Sequence, residues 1–387
     1  MPAARNSFRV ALDVRFTHRP SGGAVYTRQL ALALIRQCSG GAFVPVHNRA
    51  SEPQRDLLAE LETLAGRQGP AVALEPYAVG SPCLTLPQHV EFLARRVPAD
   101  VYHYPHFDAP LQIGGPRLVV TIHDLYPLTL AGYCSRGRRA YFTALTRHNC
   151  RRAKRIIAVS HHTARSLRDR LGVAADKIAV IHHGRDEAYR PCDDAGVLEA
   201  VARAHGLPER FVLTTGNHKP HKNLAGLLRG CALLPAAWRE EFPLVLTGQD
   251  RYTDGLRRLA CELGIDGEVR WLGHVPAEHL PGLYCLASLY ALPSFDEGFG
   301  FGALEALACG TAVAAAKAGA IPEVVGEAAR LFDPHRPEAI ADAIEHAIRE
   351  DIDDARLREQ RLEQAAKFSW AKAARETWDI YREVAAV

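Results

Sequence analysis

A chain of 387 residues, 24% of them charged and 7% aromatic, is too long for one ordinary core and too ordinary in composition for a disordered or fibrous protein. No apolar run of about eighteen residues occurs, and the N-terminal MPAARNSFRV passes directly into an apolar stretch without a signal-peptide core, so a cytoplasmic protein is expected. The net charge of +3 hides an asymmetry: residues 1–190 carry 26 Lys and Arg against 14 Asp and Glu, net +12, and the remainder 21 against 30, net −9. A basic half suits an anionic partner, either a phosphorylated acceptor or an acidic membrane face. Nucleic acid is not expected, because none of its recognition motifs accompanies the charge.

Short apolar runs rich in β-formers alternate with longer amphipathic ones, the pattern of repeated βαβ units and parallel sheets. In the first half they predict strands over Phe8–Val14, Phe43–Val46, Asp100–Tyr104, Arg117–Asp124, Arg155–Ser160 and Ile178–His183. After the first of these, Val25, Leu30, Leu32, Leu34 and Ile35 give AVYTRQLALALIRQC a buried helical face, and this helix is expected to end before Ser39-Gly40-Gly41. A polar, acidic interval, Arg190–Arg210, interrupts the pattern and is read as a hinge. A second series follows, with strands over Phe211–Gly216, Pro243–Gly248, Glu268–Gly273, Ser288–Pro293 and Thr311–Ala316, each leading into a helical stretch. Two Rossmann-like halves result, and such sheets bind ligands outside the carboxyl ends of their strands.

The nine cysteines are scattered and never form a Cys-x-x-Cys pair, so they read as reduced thiols without a disulfide or metal role. His161-His162 and His182-His183 lack the i, i+4 spacing of a helical zinc motif. The chemistry concentrates instead after SLYALP. A Gly-spaced loop, Asp296-Glu297-Gly298-Phe299-Gly300-Phe301-Gly302, leads into the helix ALEALA, which Gly310 closes. Glycines let backbone approach a ligand, and a helix start presents unpaired N–H groups at the positive end of its dipole, so this segment reads as a phosphate cradle. Glu297 and Glu305, eight positions apart, are acceptors suited to sugar hydroxyls.

These residues, with IPEVVG at Ile321–Gly326, resemble glycosyltransferase family 4, whose members carry a Glu-x7-Glu motif in this setting. Leu272–Ala316 looks like that family almost position by position. FDP at Phe332–Pro334, IAVSHHTARSL at Ile157–Leu167 and the HHG turn at Gly184 extend the resemblance over nearly the whole chain, residues 50–95 being the least informative. The resemblance implies an α/β GT-B fold, with two Rossmann-like domains facing each other across a cleft. It places an acceptor-binding domain over 1–190, a donor-binding domain over 191–368, and a C-terminal helix, 369–387, crossing back to the first domain.

It also implies roles. Glu305 is expected to bind the nucleotide ribose, and Glu297 to lie near the donor sugar in a binding or catalytic role. Gly298, Phe299, Gly300 and Phe301 would offer backbone groups to sugar and diphosphate, with core packing as the competing account of the two phenylalanines. Family members have Pro-Arg-Lys-Asn-Leu where this chain reads Pro220-His221-Lys222-Asn223-Leu224. Lys222 is therefore expected on the diphosphate, with His221 or Lys219 in place of the arginine. Gly22 and Gly23 resemble the family's Gly-Gly loop near donor phosphates and acceptor. His123, at the end of LVVTIHD, resembles its active-site histidine, a donor to sugar or phosphate. Asp108 and Asp124 are further candidates for acceptor contact or loop support. The basic segment Arg136–Arg155, interleaved with Tyr141, Phe142 and Leu145, is either a face for anionic lipid headgroups or a solvated helix.

The activity so implied is retaining transfer of a hexose from a nucleotide-diphosphate sugar to a saccharide or lipid-linked acceptor, in bacterial polysaccharide or lipopolysaccharide biosynthesis. PHFD and TIHDLYPL look like mannosyltransferases of that kind, which points to GDP-mannose. No Asp-x-Asp occurs in a metal-binding context, so neither a cofactor nor a divalent metal is expected. A sugar-nucleotide epimerase on the same fold and a non-catalytic sugar-nucleotide-binding protein are the alternatives.

Overall fold

The computed structural model of the chain describes residues 8–18, 21–37, 41–68, 72–83, 85–111, 115–130 and 132–386. Residues 1–7, and Ser39 and Gly40 after the first helix, lie outside them. The chain divides into two compact units, Met1–Gly184 with Ser369–Val387, and Arg185–Phe368. The interval Arg190–Arg210 holds a helix, Ala195–His205, in which Asp194 accepts from the N–H groups of Gly196 and Val197 at 3.0 and 3.2 Å. Its polar residues are the outer face of an amphipathic helix with Val201 buried, and the boundary between the units falls earlier, between Gly184 and Arg185.

The described residues of the first unit form an eight-stranded sheet. Its strands are β1 (Phe8–Asp13), β2 (Gly41–Asn48), β3 (Val72–Leu74), β4 (Tyr77–Val79), β5 (Val101–Tyr104), β6 (Arg117–Ile122), β7 (Arg155–Ala158) and β8 (Ile178–Val180). They run in the order β3-β2-β1-β5-β6-β7-β8, with β4 also beside β2, and the pairings are parallel. Parallel sheets are covered on both faces, which is why β5 and all but the first residue of β6 are buried and read as unbroken runs. The final helix, Trp370–Ala386, belongs to this unit and packs on the helix Gly22–Gln37. There Trp378 meets Phe8 with ring centroids 5.2 Å apart, and the Tyr381 hydroxyl pairs with His103 Nδ1 at 2.6 Å.

The second unit's described strands are β9 (Val212–Thr214), β10 (Leu244–Thr247), β11 (Val269–Gly273), β12 (Leu289–Leu292), β13 (Ala312–Ala316) and β14 (Arg330–Phe332), in the parallel order β11-β10-β9-β12-β13-β14. β12 and β13 are buried throughout. The helix Phe301–Cys309 approaches β12 so closely that a Cβ added at Gly302 would sit 2.1 Å from the Tyr290 hydroxyl oxygen. β3, β4 and β14, three residues each, were not expected from the sequence, whereas the equally short β8 and β9 fall within longer apolar runs that were read as strands.

In each sheet the strand order reverses, between β1 and β5 in the first and between β9 and β12 in the second. Ligand crevices of such sheets open outside the carboxyl ends at that reversal. Gly22 and Gly23 follow β1, Asp108 follows β5 and His123 follows β6; Lys222 follows β9 and Glu297 follows β12.

Candidate active site

In the second unit the loops after β9 and β12 are tied together before either presents a side chain. Asn223 takes the left-handed conformation, φ 52°, which asparagine tolerates better than most residues. Its side chain accepts from Gly226 N–H at 3.2 Å, capping the helix Leu224–Leu233, and donates to the carbonyls of Pro293 and Pro334 at 3.1 and 2.7 Å. Phe295 N–H donates to the His221 carbonyl at 2.9 Å. On this frame Lys222 Nζ donates to Glu297 Oε1 at 2.7 Å, and Ser294 Oγ donates to the same oxygen at 2.6 Å. Burial opposes ionisation of Glu297, yet the Lys222 charge and these two hydrogen bonds hold its carboxyl below the ordinary range. Glu297 is therefore a buried carboxylate, neutralised by the lysine expected on the diphosphate.

Burial, with the Lys222 charge adding to it, pushes the His221 imidazole down to about 4, so it is neutral at pH 7. Lys219 is exposed. Of the two residues considered for the missing arginine, only Lys219 carries a charge. Gly300, at φ 101°, occupies a backbone region open to glycine and begins the helix Phe301–Cys309. Phe299 is buried against Phe301 and Phe368, with centroids 5.5 and 5.7 Å away, so its side chain is packing while its backbone stays in the loop with Gly298.

Glu305 lies on that helix, half-buried, and accepts from the Tyr284 hydroxyl at 2.8 Å. Tyr284 in turn meets Thr215 Oγ1 at 2.8 Å, and Tyr290 meets the same oxygen at 3.1 Å. Burial raises the Glu305 carboxyl to about 7 against the Tyr284 hydrogen bond, and the Asp186 charge adds to the rise. Tyr284, Thr215 and Asn223 were missed as supporting residues in the sequence; Tyr284 is 21 residues from its partner, beyond any local spacing signal.

In the first unit, Gly22 and Gly23 open the helix Gly22–Gln37, and a Cβ on Gly23 would lie 3.9 Å from His123 Nε2. The structure thus brings Gly23 and His123 together. His123 Nε2 is 2.9 Å from the Pro105 carbonyl, which only accepts, so the neutral ring carries its proton on Nε2 and its lone pair on Nδ1. Burial, then the nearby His106, pushes this histidine down to about 3 against the Pro105 bond. Its ring stands edge-on to Tyr26 at 4.9 Å and 5.5 Å from buried His183. Tyr26 is held by a chain the sequence did not disclose: its hydroxyl meets Thr121 Oγ1 at 2.9 Å, and Thr121 meets His103 Nε2 at 2.7 Å. His103 Nδ1 then meets Tyr381 on the final helix.

Asp108 is 2% exposed and pairs with His106, with Tyr104 and Gln88 at 3.4 Å, an arrangement that supports its loop. Asp124 accepts from Tyr126 N–H at 3.3 Å at the start of the short helix Tyr126–Thr129. The basic segment is a helix, Arg136–Arg152, with Phe142, Thr146, Asn149 and Cys150 buried. Arg136, Arg138, Arg147 and Arg151 are exposed, whereas Arg139 and Arg152 donate to the backbone carbonyls of Leu130 and Pro110 at 3.2 Å. None of the described helices is long and apolar enough to cross a membrane.

Two family descriptions match successive parts of the chain: Glycosyltransferase Family 4 over residues 20–189 and Glycosyl transferases group 1 over residues 200–367. O-antigen chain mannosyltransferase B of Escherichia coli is 32% identical over 283 residues, 73% of this chain and 74% of that protein. The chain belongs to glycosyltransferase family 4. A second relative of this glycosyltransferase, the serotype-specific mannosyltransferase WbdA of Escherichia coli, is 30% identical over 265 residues, which are 67% of this chain but 32% of that protein. HepE of Anabaena, crystallised in complex with UDP and glucose, superposes with a TM-score of 0.73 at 18% identity, covering 97% of this chain and 100% of that one. The likeness shows the fold, GT-B, with its two parallel-sheet Rossmann-like domains. The resemblance carried by Leu272–Ala316 and its companions thus named the right family and the right fold.

Proposed function

We propose that this family 4 glycosyltransferase moves a hexose, with retention at the anomeric carbon, from a nucleoside-diphosphate sugar to a saccharide or lipid-linked acceptor in bacterial polysaccharide or lipopolysaccharide assembly. GDP-mannose is the donor favoured, because the chain is similar over most of its length to an O-antigen mannosyltransferase. The observation that carries the reading is the Lys222–Glu297 pair, bonded at 2.7 Å beside the helix start at Gly300. An ammonium has three donors and Glu297 takes one, so Lys222 can hold its carboxylate and still donate to a diphosphate oxygen. As the bond from sugar to diphosphate breaks, negative charge grows on the β-phosphate, where Lys222 and the helix N–H groups stabilise it.

Glu305 accepts from ribose hydroxyls, and Tyr284 fixes the direction of its carboxylate. Glu297, held ionised, faces the donor sugar. His123, with its Nε2–H given to the Pro105 carbonyl, has only the Nδ1 lone pair left and accepts from a sugar hydroxyl rather than donating to phosphate, and the leaving diphosphate takes the acceptor's proton. The cations in this scheme are the chain's own side chains, with no metal ion.

The test is a donor panel. Purified protein is incubated with GDP-mannose, UDP-glucose or UDP-galactose and an oligosaccharide or polyprenyl-linked acceptor, and both nucleoside diphosphate release and acceptor mass gain are followed. Transfer fastest from GDP-mannose supports the proposal, and faster transfer from a UDP-hexose removes its donor assignment. Epimerised donor without transfer would favour the epimerase.

A further inference from the structure

The apolar side chains left outside the first unit's core are not scattered. Of the seven large hydrophobic residues exposed among the described ones, Leu86, Val90 and Leu93 lie on the nine-residue helix Leu86–Ala94, and Tyr141 lies on the helix Arg136–Arg152. Leu86, Val90 and Leu93 are spaced i, i+4, i+7 and so form one stripe, with exposures of 77, 69 and 45%. The shallow groove beside Val90 adds Pro82 and Pro87 to it. By the usual pattern this helix is inside out. Its inward side holds Gln88 beside Phe92, and buried Gln88 is satisfied there, donating to the Asp108 carbonyl at 3.3 Å and accepting from Arg15 at 3.4 Å. Exposed leucines occurring singly need no explanation, whereas a continuous apolar stripe calls for a partner.

The helices Leu86–Ala94 and Arg136–Arg152 lie on one side of the sheet. The first joins β4 to β5 and the second joins β6 to β7; both steps run toward β8, and right-handed crossovers in one direction cover one face. Phe92 and Phe142 accordingly enter the same core cluster. Both helices also hold the loop 107–111, where His89 accepts from Leu111 N–H at 3.2 Å and Asn149 donates to the Phe107 carbonyl at 2.9 Å. The charge beside the stripe is of one sign. The helix Arg136–Arg152 carries six arginines and no acid, and exposed Arg95 and Arg96 follow Leu93 within three residues. Glu91, the one acid on the helix Leu86–Ala94, is taken up by the N–H groups of Gly80 and Ser81 at 2.9 and 2.8 Å.

We propose that this face docks the first unit on the surface of a bilayer that contains anionic lipid. Leu86, Val90, Leu93 and Tyr141 enter the headgroup region, and Arg95, Arg96, Arg147 and Arg151 pair with lipid phosphates. Arginines without intervening acids complement a continuous anionic surface, and a tyrosine, apolar in its ring and polar at its tip, suits the boundary between headgroups and water. Of the two accounts that the sequence left for the basic segment, this one takes the lipid face. Its apolar half escaped because it lies in residues 50–95, the stretch where the family resemblance was least informative. The docking does not depend on the donor reading.

The experiment sediments the full chain with large vesicles, either of phosphatidylcholine alone or of phosphatidylcholine mixed with phosphatidylglycerol. At low ionic strength the chain should partition onto the mixed vesicles about tenfold more strongly than onto the neutral ones. The triple variant Leu86→Ser, Val90→Ser, Leu93→Ser changes only exposed side chains, so it should keep the wild-type melting temperature and lose binding about tenfold. Arg147→Gln with Arg151→Gln should weaken binding about threefold at low salt and hardly at all in about 1 M salt. Equal binding to both kinds of vesicle, or undiminished binding of the triple variant, overturns the proposal. A wild-type chain that stays in the supernatant overturns it too; if that chain elutes as a dimer in size-exclusion chromatography and the triple variant as a monomer, the stripe belongs to a second copy of the chain.

Discussion

The two sheets equip their carboxyl edges in opposite ways. The second keeps a buried ion pair, Lys222 with Glu297, and the carboxylate stays ionised because ammonium and hydroxyl donors share one of its oxygens. The first gathers His103, His123 and His183 around Tyr26 and Thr121, and burial pushes all three histidines down, so that they are neutral at pH 7. One rule accounts for both: burial removes a charge unless a close partner compensates it. Electrostatic stabilisation of a leaving diphosphate is thus available in the second unit, and the first contributes neutral hydrogen bonds.

The largest effect is expected where the charged side of that contrast is broken. Lys222→Ala leaves Glu297 as a buried carboxylate without its cation and removes the cation from the leaving group. Sugar transfer should fall by a factor of roughly 100 to 1,000, about 3–4 kcal/mol, with a lowered melting temperature. Adding Glu297→Gln removes the stranded charge and should restore the melting temperature but not the transfer rate. Recovery of the rate in the double variant would mean that Lys222 serves only to neutralise Glu297.

Glu305 comes next, because it stands between the two regimes. Glu305→Ala should weaken donor binding by about 1–3 kcal/mol in calorimetry. Its carboxyl, raised from 4.5 to about 7, also sets a pH dependence. A carboxyl whose folded value lies above its unfolded one contributes stability that is full below pH 4.5 and is lost as pH rises through about 7. The size is at most about 3 kcal/mol. Ribose hydroxyls donate best to the ionised form, so donor affinity should move the opposite way and rise through the same range. Glu305→Gln should flatten both profiles, and an affinity profile unchanged in that variant would remove Glu305 from the ribose.

Lys222, Glu297 and Glu305 were legible in the sequence as candidates because they lie in two segments that resemble family 4, Pro220–Leu224 after β9 and the Gly-spaced loop and helix after β12. What escaped is what holds them. Asn223 reaches Pro334 across 111 residues, and Tyr381 reaches His103 across 278. Nothing in the local wording encodes such bonds. The burial of His221 escaped for a related reason: a histidine in an apparently exposed turn discloses none. The sheets were legible as apolar runs, except for the short strands β3, β4 and β14.

On the neutral side of the comparison, His123→Asn keeps a neutral acceptor but changes its reach, and turnover should fall about tenfold. The more telling readout is pH. With its imidazole down to about 3, His123 supplies no ionisation between pH 5 and 9, so the wild-type and variant profiles of kcat/KM should be parallel over that range. A limb near pH 6 or 7 that vanishes in the variant would show a titrating histidine and dissolve the contrast between the two edges.

The smallest expected effect tests the charge balance of the β9 loop. Lys219 is exposed and His221 is buried and neutral, so of these two only Lys219 offers a second cation for the diphosphate. An exposed cation near a phosphate contributes roughly 0.2–1 kcal/mol and is screened by salt. Lys219→Ala should therefore weaken nucleoside-diphosphate binding about threefold at low ionic strength and hardly at all in about 1 M salt, where the Debye length is about 3 Å. His221→Gln removes no charge and should leave the salt dependence as it is. If His221→Gln alters the salt dependence and Lys219→Ala does not, the buried imidazole is protonated when the diphosphate is bound, and the donor loop has recruited the very kind of residue that the first sheet keeps neutral.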